Sequence, residues 1–187
     1  MNVIPTEIAD VFVLEPKVFG DSRGHFFESF QAQTFARLTG WDGSFVQDNQ
    51  SRSSQGVLRG LHLQLAPHAQ GKLVRVLSGS ILDVAVDIRV DSPSFGKHVA
   101  VELNDENRHQ LWVPPGLAHG FRVLSDRADV MYKTTDTWAP ELERSIHWDD
   151  QQLQIDWGLA IGELPLLSEK DAAAPSFANF LAETATA

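Results

Sequence analysis

The feature that most constrains the fold is a series of short strand-like runs, separated by turn residues at a spacing of roughly ten residues. The clearest pair lies within 72–88, where Ser78-Gly79 separates two apolar runs. In the second run, apolar side chains alternate with Asp83 and Asp87, which is the period of two expected of a strand. We expect these two aspartates to line a wet space or to pair with cations. No alternation of strands with long helices is visible, so the pattern predicts an all-β sandwich, jelly roll or small barrel.

The rest of the chain continues this pattern and carries few helical signals. We predict further strands at 11–15, 45–51, 57–64, 99–103, 111–113, 121–124 and 130–134, with a turn at 20–24 before an apolar run around Phe26, Phe27 and Phe30. A short helix is predicted over 31–39, ended by Gly40, and a peripheral closing helix with a frayed tail over about 176–187. With no internal repeat or linker, residues 1–187 are expected to form a single domain.

Composition excludes several classes of protein and of site. The 187 residues include no cysteine, which excludes a disulfide, a thiolate zinc site and a cysteine nucleophile. The net charge of −10 argues against nucleic acid as a partner, although a few arginines in one pocket still suit a small anion. No basic leader precedes an apolar run, and no run approaches the ~20 apolar residues of a membrane span. We therefore expect a cytoplasmic protein with no membrane partner.

The stretch 57–64 combines a strand-like apolar run with two residues that are costly to bury, Arg59 and His62. In a regular strand their different parity sends them to opposite faces, and we assign them two separate tasks on two faces. Gly60 between them also allows a bulge or a close backbone approach. A bidentate grip on a phosphate or carboxylate suits Arg59, and an ordinary solvated charge is the alternative.

A metal site is the first chemistry to consider for His62 and His119, because small β-barrels often bind metals through a His-x-His pair and a carboxylate. Here the position two after His62 is Gln64, and no glutamate follows closely. A histidine-rich transition-metal site needs more donors than these, so we expect no metal and no cofactor. For His119, the alternative to a metal ligand is a histidine at the start of a strand whose hydrogen bonds are satisfied within the protein.

Acid–base chemistry is the second possibility. A histidine base, the ammonium of Lys72 and the only tyrosine, Tyr132, form a set suited to removing a proton beside a ketone and returning it from the other side. A packed aromatic residue is the plainer interpretation of Tyr132. The histidine needs a carboxylate to orient it, and Asp83 and Asp171 are both candidates that spacing alone leaves open.

Eight ordered blocks of the sequence resemble the deoxythymidine-diphosphate (dTDP)-4-dehydrorhamnose 3,5-epimerases, a family of nucleotide-sugar enzymes. The resemblance covers nearly the whole chain and is carried by 21–28, 47–51, 58–64, 71–74, 83–87, 114–121, 132–133 and 167–171. Eight blocks in order are far more specific than any one of them, and the motif positions show no departure. The resemblance implies a cupin-like jelly roll with few short helices and a homodimer that works without a metal.

The resemblance also implies a role for each matched residue. His62, oriented by Asp171, would take protons from C3 and then C5 of a 4-keto sugar, while Lys72 stabilises the enolate and Tyr132 protonates C5. His119 would contact the sugar, and Phe26 would stack on the base. The remaining nucleotide and sugar contacts would come from Arg23, Arg59, Glu28, Gln47, Asn49, Glu143 and Lys170. Because Arg23 to Glu28 follow an N-terminal strand, we expect them to reach the site of a neighbouring subunit.

The leading hypothesis is therefore a metal-independent epimerase that converts dTDP-4-dehydro-6-deoxy-D-glucose to dTDP-4-dehydro-L-rhamnose in dTDP-L-rhamnose biosynthesis. A single-carbon epimerase or a ketoisomerase acting on a related dTDP-4-keto-6-deoxy sugar is the alternative within the family. From other classes, the alternatives are a nucleotide-sugar binding module without turnover and a metal-dependent dioxygenase.

Overall fold

The chain folds into thirteen strands and three short α-helices within residues 1–184, the part that the computed structural model describes. The strands are β1 (Asn2–Pro5), β2 (Phe12–Glu15), β3 (Val18–Asp21), β4 (Gly24–Phe27), β5 (Gln47–Ser54), β6 (Leu58–Gln64), β7 (Lys72–Ser78), β8 (Ser80–Asp87), β9 (His98–Asn104), β10 (Gln110–Val113), β11 (Leu117–Val123), β12 (Arg127–Thr134) and β13 (Glu143–Ser145). The helices are α1 (Ala32–Thr39), α2 (Glu169–Ala172) and α3 (Phe177–Thr184). None of these helices is long and apolar enough to cross a membrane.

Two antiparallel sheets form the body of the fold. One has six strands in the order β1-β2-β10-β7-β12-β5, and the other has five in the order β13-β6-β11-β8-β9. Neighbours in each sheet are mostly distant in sequence, as in a Greek-key jelly roll rather than a meander. The predicted all-β, cupin-like jelly roll with few short helices is therefore confirmed. Strands β3 and β4 pair only with each other, as a separate hairpin.

The main core lies between the two sheets, because alternate side chains of both sheets point into that space. Val74 of β7 and Val130 of β12 meet Ala85 of β8 and Phe121 of β11 in one cluster of buried residues. Asp83 shares the inward face of β8 with Ala85, so a carboxylate enters this otherwise apolar layer. A fully buried carboxylate is tolerated there only if it is paired, and its partner belongs to the site described below.

The outer face of each sheet is covered by a different segment. Phe35 of α1 packs with Leu73 and Trp112 on the outer face of the six-stranded sheet. On the five-stranded sheet, Val84 and Val86 pack against the C-terminal segment, including Phe177 and Phe180 of α3. Helix α3 lies within the range predicted for the closing helix, and residues 185–187 of the predicted frayed tail lie outside the described residues. The segment before α3 passes over β6, and α2 lies in contact with that strand.

Candidate active site

A bulge in β6 gives Arg59 and His62 the same orientation. Across the β6–β11 ladder, Arg59 pairs with Phe121 and His62 pairs with His119, so two residues of β6 stand opposite Gly120 alone. Because of this extra residue, Arg59 and His62 face the same side of the sheet although they are three positions apart in sequence. Our assignment of the pair to two faces is therefore wrong, and the bulge that Gly60 allows is what the strand contains.

The direction of both side chains follows from their partners in the opposite sheet. The guanidinium Nε of Arg59 donates to Ser53 Oγ at 3.1 Å, and Ser53 lies on β5. His62 lines a cavity together with Lys72 of β7 and Tyr132 of β12. Both side chains therefore point into the space between the sheets.

Glycines make this bulge sterically feasible. Gly60 has φ +117°, and a Cβ placed there would lie 2.6 Å from Gly120 Cα. A Cβ on Gly120 would lie 2.7 Å from the carbonyl oxygen of Arg59. Both distances are shorter than real Cβ contacts, so the two backbones approach this closely only because neither residue has a side chain.

His62 is hydrogen-bonded to Asp171, one of the two carboxylates that the sequence left open as its partner. The distance from Nε2 to Asp171 Oδ1 is 2.5 Å, and the Asp171 side chain is only 4% exposed. Burial acts to raise the pKa of Asp171, but hydrogen bonds from His62, Ser168 and the backbone of Gly60 outweigh it and hold that pKa below its usual value. An ionised carboxylate only accepts, so Nε2 carries the proton and Nδ1 is unprotonated in the neutral ring.

Asp83, the other candidate partner, bonds instead to His119. The distance from His119 Nε2 to Asp83 Oδ1 is 2.8 Å, and the two side chains are 7% and 0% exposed. Burial lowers the pKa of His119 more than the neighbouring Asp83 raises it, so this imidazole is neutral near pH 7. His119 is buried next to His62, its partner across the ladder, and within residues 1–184 it is not part of the cavity lining. Its contact with the sugar stays a prediction.

Lys72 enters the same region from the other sheet and is 9% exposed. Its Nζ donates to the carbonyl oxygen of His62 at 3.3 Å. Burial lowers the pKa of Lys72 to about 8, although Asp83 and Glu143 act in the opposite direction. The ammonium is therefore still the main form at neutral pH, in a place with little water to screen its charge.

Tyr132 approaches the cavity from β12, where it pairs with Val74 on one side and Asn49 on the other. Burial raises the pKa of its phenol, and the positive charge of Arg59 only partly offsets this effect. The phenol thus keeps its proton at neutral pH and has a hydrogen to donate.

The cavity measures about 310 Å³ and is lined by both sheets. Its lining residues are Gln47, Asn49, His62, Leu63, Gln64, Gln70, Lys72, Tyr132, Trp138 and Glu143. At the rim, Lys170 Nζ lies 2.8 Å from Glu143 Oε2. Of the residues predicted for the site, the structure thus gathers Gln47, Asn49, Arg59, His62, Lys72, Tyr132, Glu143, Lys170 and Asp171 at or around this cavity, with His119 buried behind it.

Trp138 is a lining residue that the sequence reasoning missed. The residue is 61% exposed, and its backbone N–H donates to Gln47 Oε1 at 3.1 Å. The side-chain amide of Gln64 supports the same segment by bonding the backbone of Thr137 and Ala139. A tryptophan in a polar loop is a signal that could have singled it out, because such a ring seldom stays exposed without a partner.

Three predicted site residues lie elsewhere in this chain. Arg23 is exposed and pairs with Asp21 at 2.6 Å, and Phe26 is 70% exposed. Both belong to the β3–β4 hairpin and line a separate surface cavity of about 340 Å³, while Glu28 is exposed just after it. Within residues 1–184, the structure does not bring these three residues to the cavity of His62.

The donors for a metal are few in the described chain. Across residues 1–184 there is no group of three or more His, Cys, Asp or Glu side chains arranged to hold a metal ion. Near His62 the available groups are two separate histidine–aspartate pairs, in which Nε2 of each ring already bonds a carboxylate. The residues present suit proton transfer.

Known proteins resemble this chain over nearly its full length. The family model for dTDP-4-dehydrorhamnose 3,5-epimerase matches residues 5–179. A dTDP-4-dehydrorhamnose 3,5-epimerase of Pseudomonas aeruginosa is 56% identical over 179 residues, covering 96% of this chain and 97% of the relative.

Solved structures of nucleotide-sugar epimerases also match this chain. The dTDP-6-deoxy-D-glucose-3,5-epimerase of Legionella pneumophila, in complex with dTDP-4-keto-L-rhamnose, has a TM-score of 0.93 at 55% identity, covering 97% of this chain and 95% of that one. A 3′-monoepimerase of Streptomyces bikiniensis, in complex with dTDP-quinovose, has a TM-score of 0.89 at 32% identity, covering 96% of this chain and 90% of that one. The matched family model, the close relatives and the shared fold show that this chain is an isomerase of the dTDP-4-dehydrorhamnose 3,5-epimerase family.

Proposed function

We propose that this protein converts dTDP-4-dehydro-6-deoxy-D-glucose to dTDP-4-dehydro-L-rhamnose by inverting C3 and C5, as a step of dTDP-L-rhamnose biosynthesis. The observation that carries the mechanism is the cavity in which the His62–Asp171 pair faces Lys72 and Tyr132. A general base, a buried cation and a proton donor are the groups that epimerisation beside a ketone requires. The bound nucleotide sugar of the Legionella relative supports the substrate class.

The chemistry begins at the unprotonated Nδ1 of His62. It removes the proton from C3, which is acidic because the C4 ketone delocalises the electron pair left behind. The electrons of the C–H bond form an enolate on the C4 oxygen, and the Lys72 ammonium stabilises this negative charge in a poorly solvated place. A proton from solvent, delivered to the opposite face of C3, converts the enolate back to the ketone and completes the inversion.

The same sequence is then repeated at C5, the other carbon beside the ketone. His62 first releases the C3 proton to solvent, which regenerates the unprotonated Nδ1, and then takes the proton from C5. Lys72 again holds the enolate charge. Tyr132 returns a proton from the opposite face, a role that its raised pKa supports because the phenol stays protonated. Asp171 stabilises the imidazolium that forms at each step and keeps Nδ1 directed at the sugar.

Binding of the nucleotide is proposed to use the rest of the cavity and a second subunit. Arg59 faces the same space as His62 and suits the phosphates. Trp138 offers an exposed flat ring at the mouth. Arg23, Phe26 and Glu28 would reach this site only from the hairpin of a partner, which makes the homodimer part of the proposal. The single domain and the cytoplasmic location stay predictions.

Solvent exchange tests this function. The purified protein, incubated with dTDP-4-dehydro-6-deoxy-D-glucose in deuterium oxide, is expected to incorporate deuterium at both C3 and C5. His62→Asn should lose both exchanges. An absence of label at both carbons with the wild-type protein would reject the proposed function, and elemental analysis of the active protein tests the expectation that no metal takes part.

A single-carbon epimerase is the second candidate, favoured by the 32% identity to the 3′-monoepimerase of Streptomyces bikiniensis. Such an enzyme removes a proton beside the same ketone with the same kind of base. The two candidates differ in the exchange experiment, because a single-carbon epimerase labels only one of the two carbons in its product. A ketoisomerase is distinguished by a product whose carbonyl has moved from C4.

A further inference from the structure

Ser168 makes two hydrogen bonds to one residue, Asp171. Its Oγ accepts the backbone N–H of Asp171 at 3.1 Å, which is the ordinary bond of a serine that caps a helix N-terminus. The same hydroxyl donates to Asp171 Oδ2 at 2.9 Å. One exposed serine therefore fixes both the backbone and the carboxylate of the residue that bonds the candidate base.

The carboxylate of Asp171 has a different donor on each oxygen. His62 bonds Oδ1, Ser168 bonds Oδ2, and the backbone N–H of Gly60 also donates to the group. The terminal torsion of an aspartate is intrinsically broad, so the rotation of the carboxylate is set by its hydrogen bonds rather than by its rotamer. Without a donor on Oδ2, the carboxylate can turn and its bond to the imidazole changes direction.

We propose that Ser168 is a positioning residue for proton abstraction, acting on His62 through Asp171. By holding Oδ2 it keeps Oδ1 in the plane of the imidazole, which fixes the Nε2–H tautomer and the direction of Nδ1. Ser168 bonds the other carboxylate oxygen of Asp171 and is not among the residues that line the cavity. The inference rests on the proposed function, since it assigns His62 the task of a base.

A second serine provides a matched control for the capping contribution. Ser176 precedes α3, and its Oγ accepts the backbone N–H of Asn179 at 3.3 Å. That hydroxyl caps a helix as Ser168 does, but none of its bonds involves Asp171 or His62. Ser176→Ala therefore removes a cap alone, whereas Ser168→Ala removes a cap and a carboxylate donor. Ser168→Thr keeps a hydroxyl for both bonds, and the exposed position leaves room for a methyl group.

The experiment compares the three variants with the wild-type protein on dTDP-4-dehydro-6-deoxy-D-glucose. We expect Ser168→Ala to lower kcat by about ten- to a hundredfold, because misdirecting a base by a fraction of an ångström is that costly, while KM changes by less than about twofold. Deuterium exchange at C3 and C5 should fall in parallel, since one base serves both carbons. Ser168→Thr should recover most of the lost rate, and Ser176→Ala should keep wild-type kinetics.

Proton NMR supplies a readout that does not depend on turnover. The proton in the short bond between His62 Nε2 and Asp171 is expected to resonate far downfield, and His62→Asn identifies it by removing it. It should shift or disappear in Ser168→Ala and persist in Ser168→Thr and Ser176→Ala. Wild-type kinetics in Ser168→Ala would overturn the proposal, and so would an unmoved resonance in that variant. So would equal losses in Ser168→Ala and Ser176→Ala, because a cap alone would then explain them.

The two proposals fail in different ways. If the wild-type protein exchanges no label, the proposed function is wrong, whatever the serine variants do. If the wild-type protein exchanges label and Ser168→Ala exchanges it equally fast, only the role of Ser168 is rejected.

Discussion

At the scale of single residues, the two histidine–aspartate pairs between the sheets differ in their access to the cavity. The His62 side chain is 28% exposed and lines it, whereas the His119 side chain is 7% exposed and lies behind. Burial lowers the pKa of His119, so its ring stays neutral and donates to Asp83. A base must reach its substrate, and of the two rings only His62 lines the cavity. His119 instead holds Asp83 close enough to Lys72 to influence its charge.

Lys72 gives the first prediction, a pH dependence. Because burial lowers the pKa of Lys72 to about 8, the free enzyme loses this cation as the pH rises through that value. We expect kcat/KM for epimerisation to fall above pH 8, since a neutral amine cannot stabilise the enolate charge. The raised pKa of Tyr132 keeps the phenol protonated over the same range. Ionisation of Tyr132 therefore does not account for this alkaline limb, the fall in kcat/KM above pH 8.

The control for this limb is Lys72→Arg. An arginine stays charged at every pH of the assay, so the variant should be slower but show no limb near pH 8. Asp83→Asn should move the wild-type limb to lower pH, because the Asp83 charge raises the pKa of Lys72. A wild-type profile that stays flat between pH 7 and pH 9.5 would contradict the assignment.

Tyr132 gives the second prediction. Tyr132→Phe removes the hydroxyl and keeps the ring packed against the core, so the fold should persist. We expect inversion at C5 to fall by about a hundredfold, within the usual contribution of a positioned acid, while deuterium exchange at C3 continues. Resolving the two carbons by proton NMR during turnover measures both. Equal loss at C3 and C5 would refute a specific role at C5.

At the scale of elements, the bulge in β6 decides which side chains share the cavity. It depends on the close approach of Gly60 and Gly120, where an added Cβ would lie less than 3.0 Å from backbone atoms. Backbone cannot move aside as a flexible side chain can. The third prediction is that Gly120→Ala separates β11 from β6, at a cost of about 1–3 kcal/mol in the free energy of unfolding.

Chemical denaturation measures this cost, and Gly20→Ala is the control. Gly20 also has no positive φ, and the nearest atom to its added Cβ is 3.7 Å away, which is an ordinary contact. This control should change the free energy of unfolding by less than about 0.5 kcal/mol. If Gly120→Ala is equally stable, the strands can relax around the methyl group. Its activity should nevertheless fall below that of the control, because Arg59 and His62 are displaced from the cavity.

The elements that could be predicted from sequence are those with a strong local pattern. The break between β7 and β8 at Ser78-Gly79 and the end of α1 at Gly40 coincide with glycines that have positive φ. The missed elements are β1, β3, β4, β13 and α2, which are three or four residues long and lack an extended pattern. The strand predicted from residue 121 begins earlier, at Leu117, because the turn before it ends at Gly116. Short elements depend on tertiary partners that spacing does not reveal.

At the scale of the whole molecule, the site exists only while the two sheets stay packed on each other. His62 and Glu143 come from the five-stranded sheet, and Lys72 and Tyr132 come from the six-stranded sheet. Alternation and eight motif blocks predicted both the jelly roll and most of these residues. The common face of Arg59 and His62 was not predicted, because Gly60 allows a bulge without requiring one. The position of Trp138 was not predicted either, because a loop has no hydrophobic period.

The β3–β4 hairpin gives the last prediction, which concerns two chains together. Phe19 and Phe26 of this hairpin are 55% and 70% exposed, and the hairpin pairs with neither main sheet. If the hairpin serves a partner, a chain carrying Arg23→Ala with Phe26→Ala and a chain carrying His62→Asn should complement each other. In a mixed dimer, one cavity then combines an intact His62 with an intact hairpin. Random pairing of equal amounts of the two chains gives mixed dimers in about half of the cases. Each mixed dimer has one working site out of two, so about a quarter of the wild-type activity is expected.

Co-refolding the two variants and assaying epimerisation measures this complementation. Each variant alone should be nearly inactive, and the activity of the mixture should rise to its maximum at equal amounts of the two chains. A hairpin that served the cavity of its own chain would leave every dimer without a complete site, because each chain carries one defect. The mixture would then be no more active than the two variants assayed separately. The hairpin residues would in that case have to reach His62 within one chain, which requires the hairpin to leave the position it has in this structure.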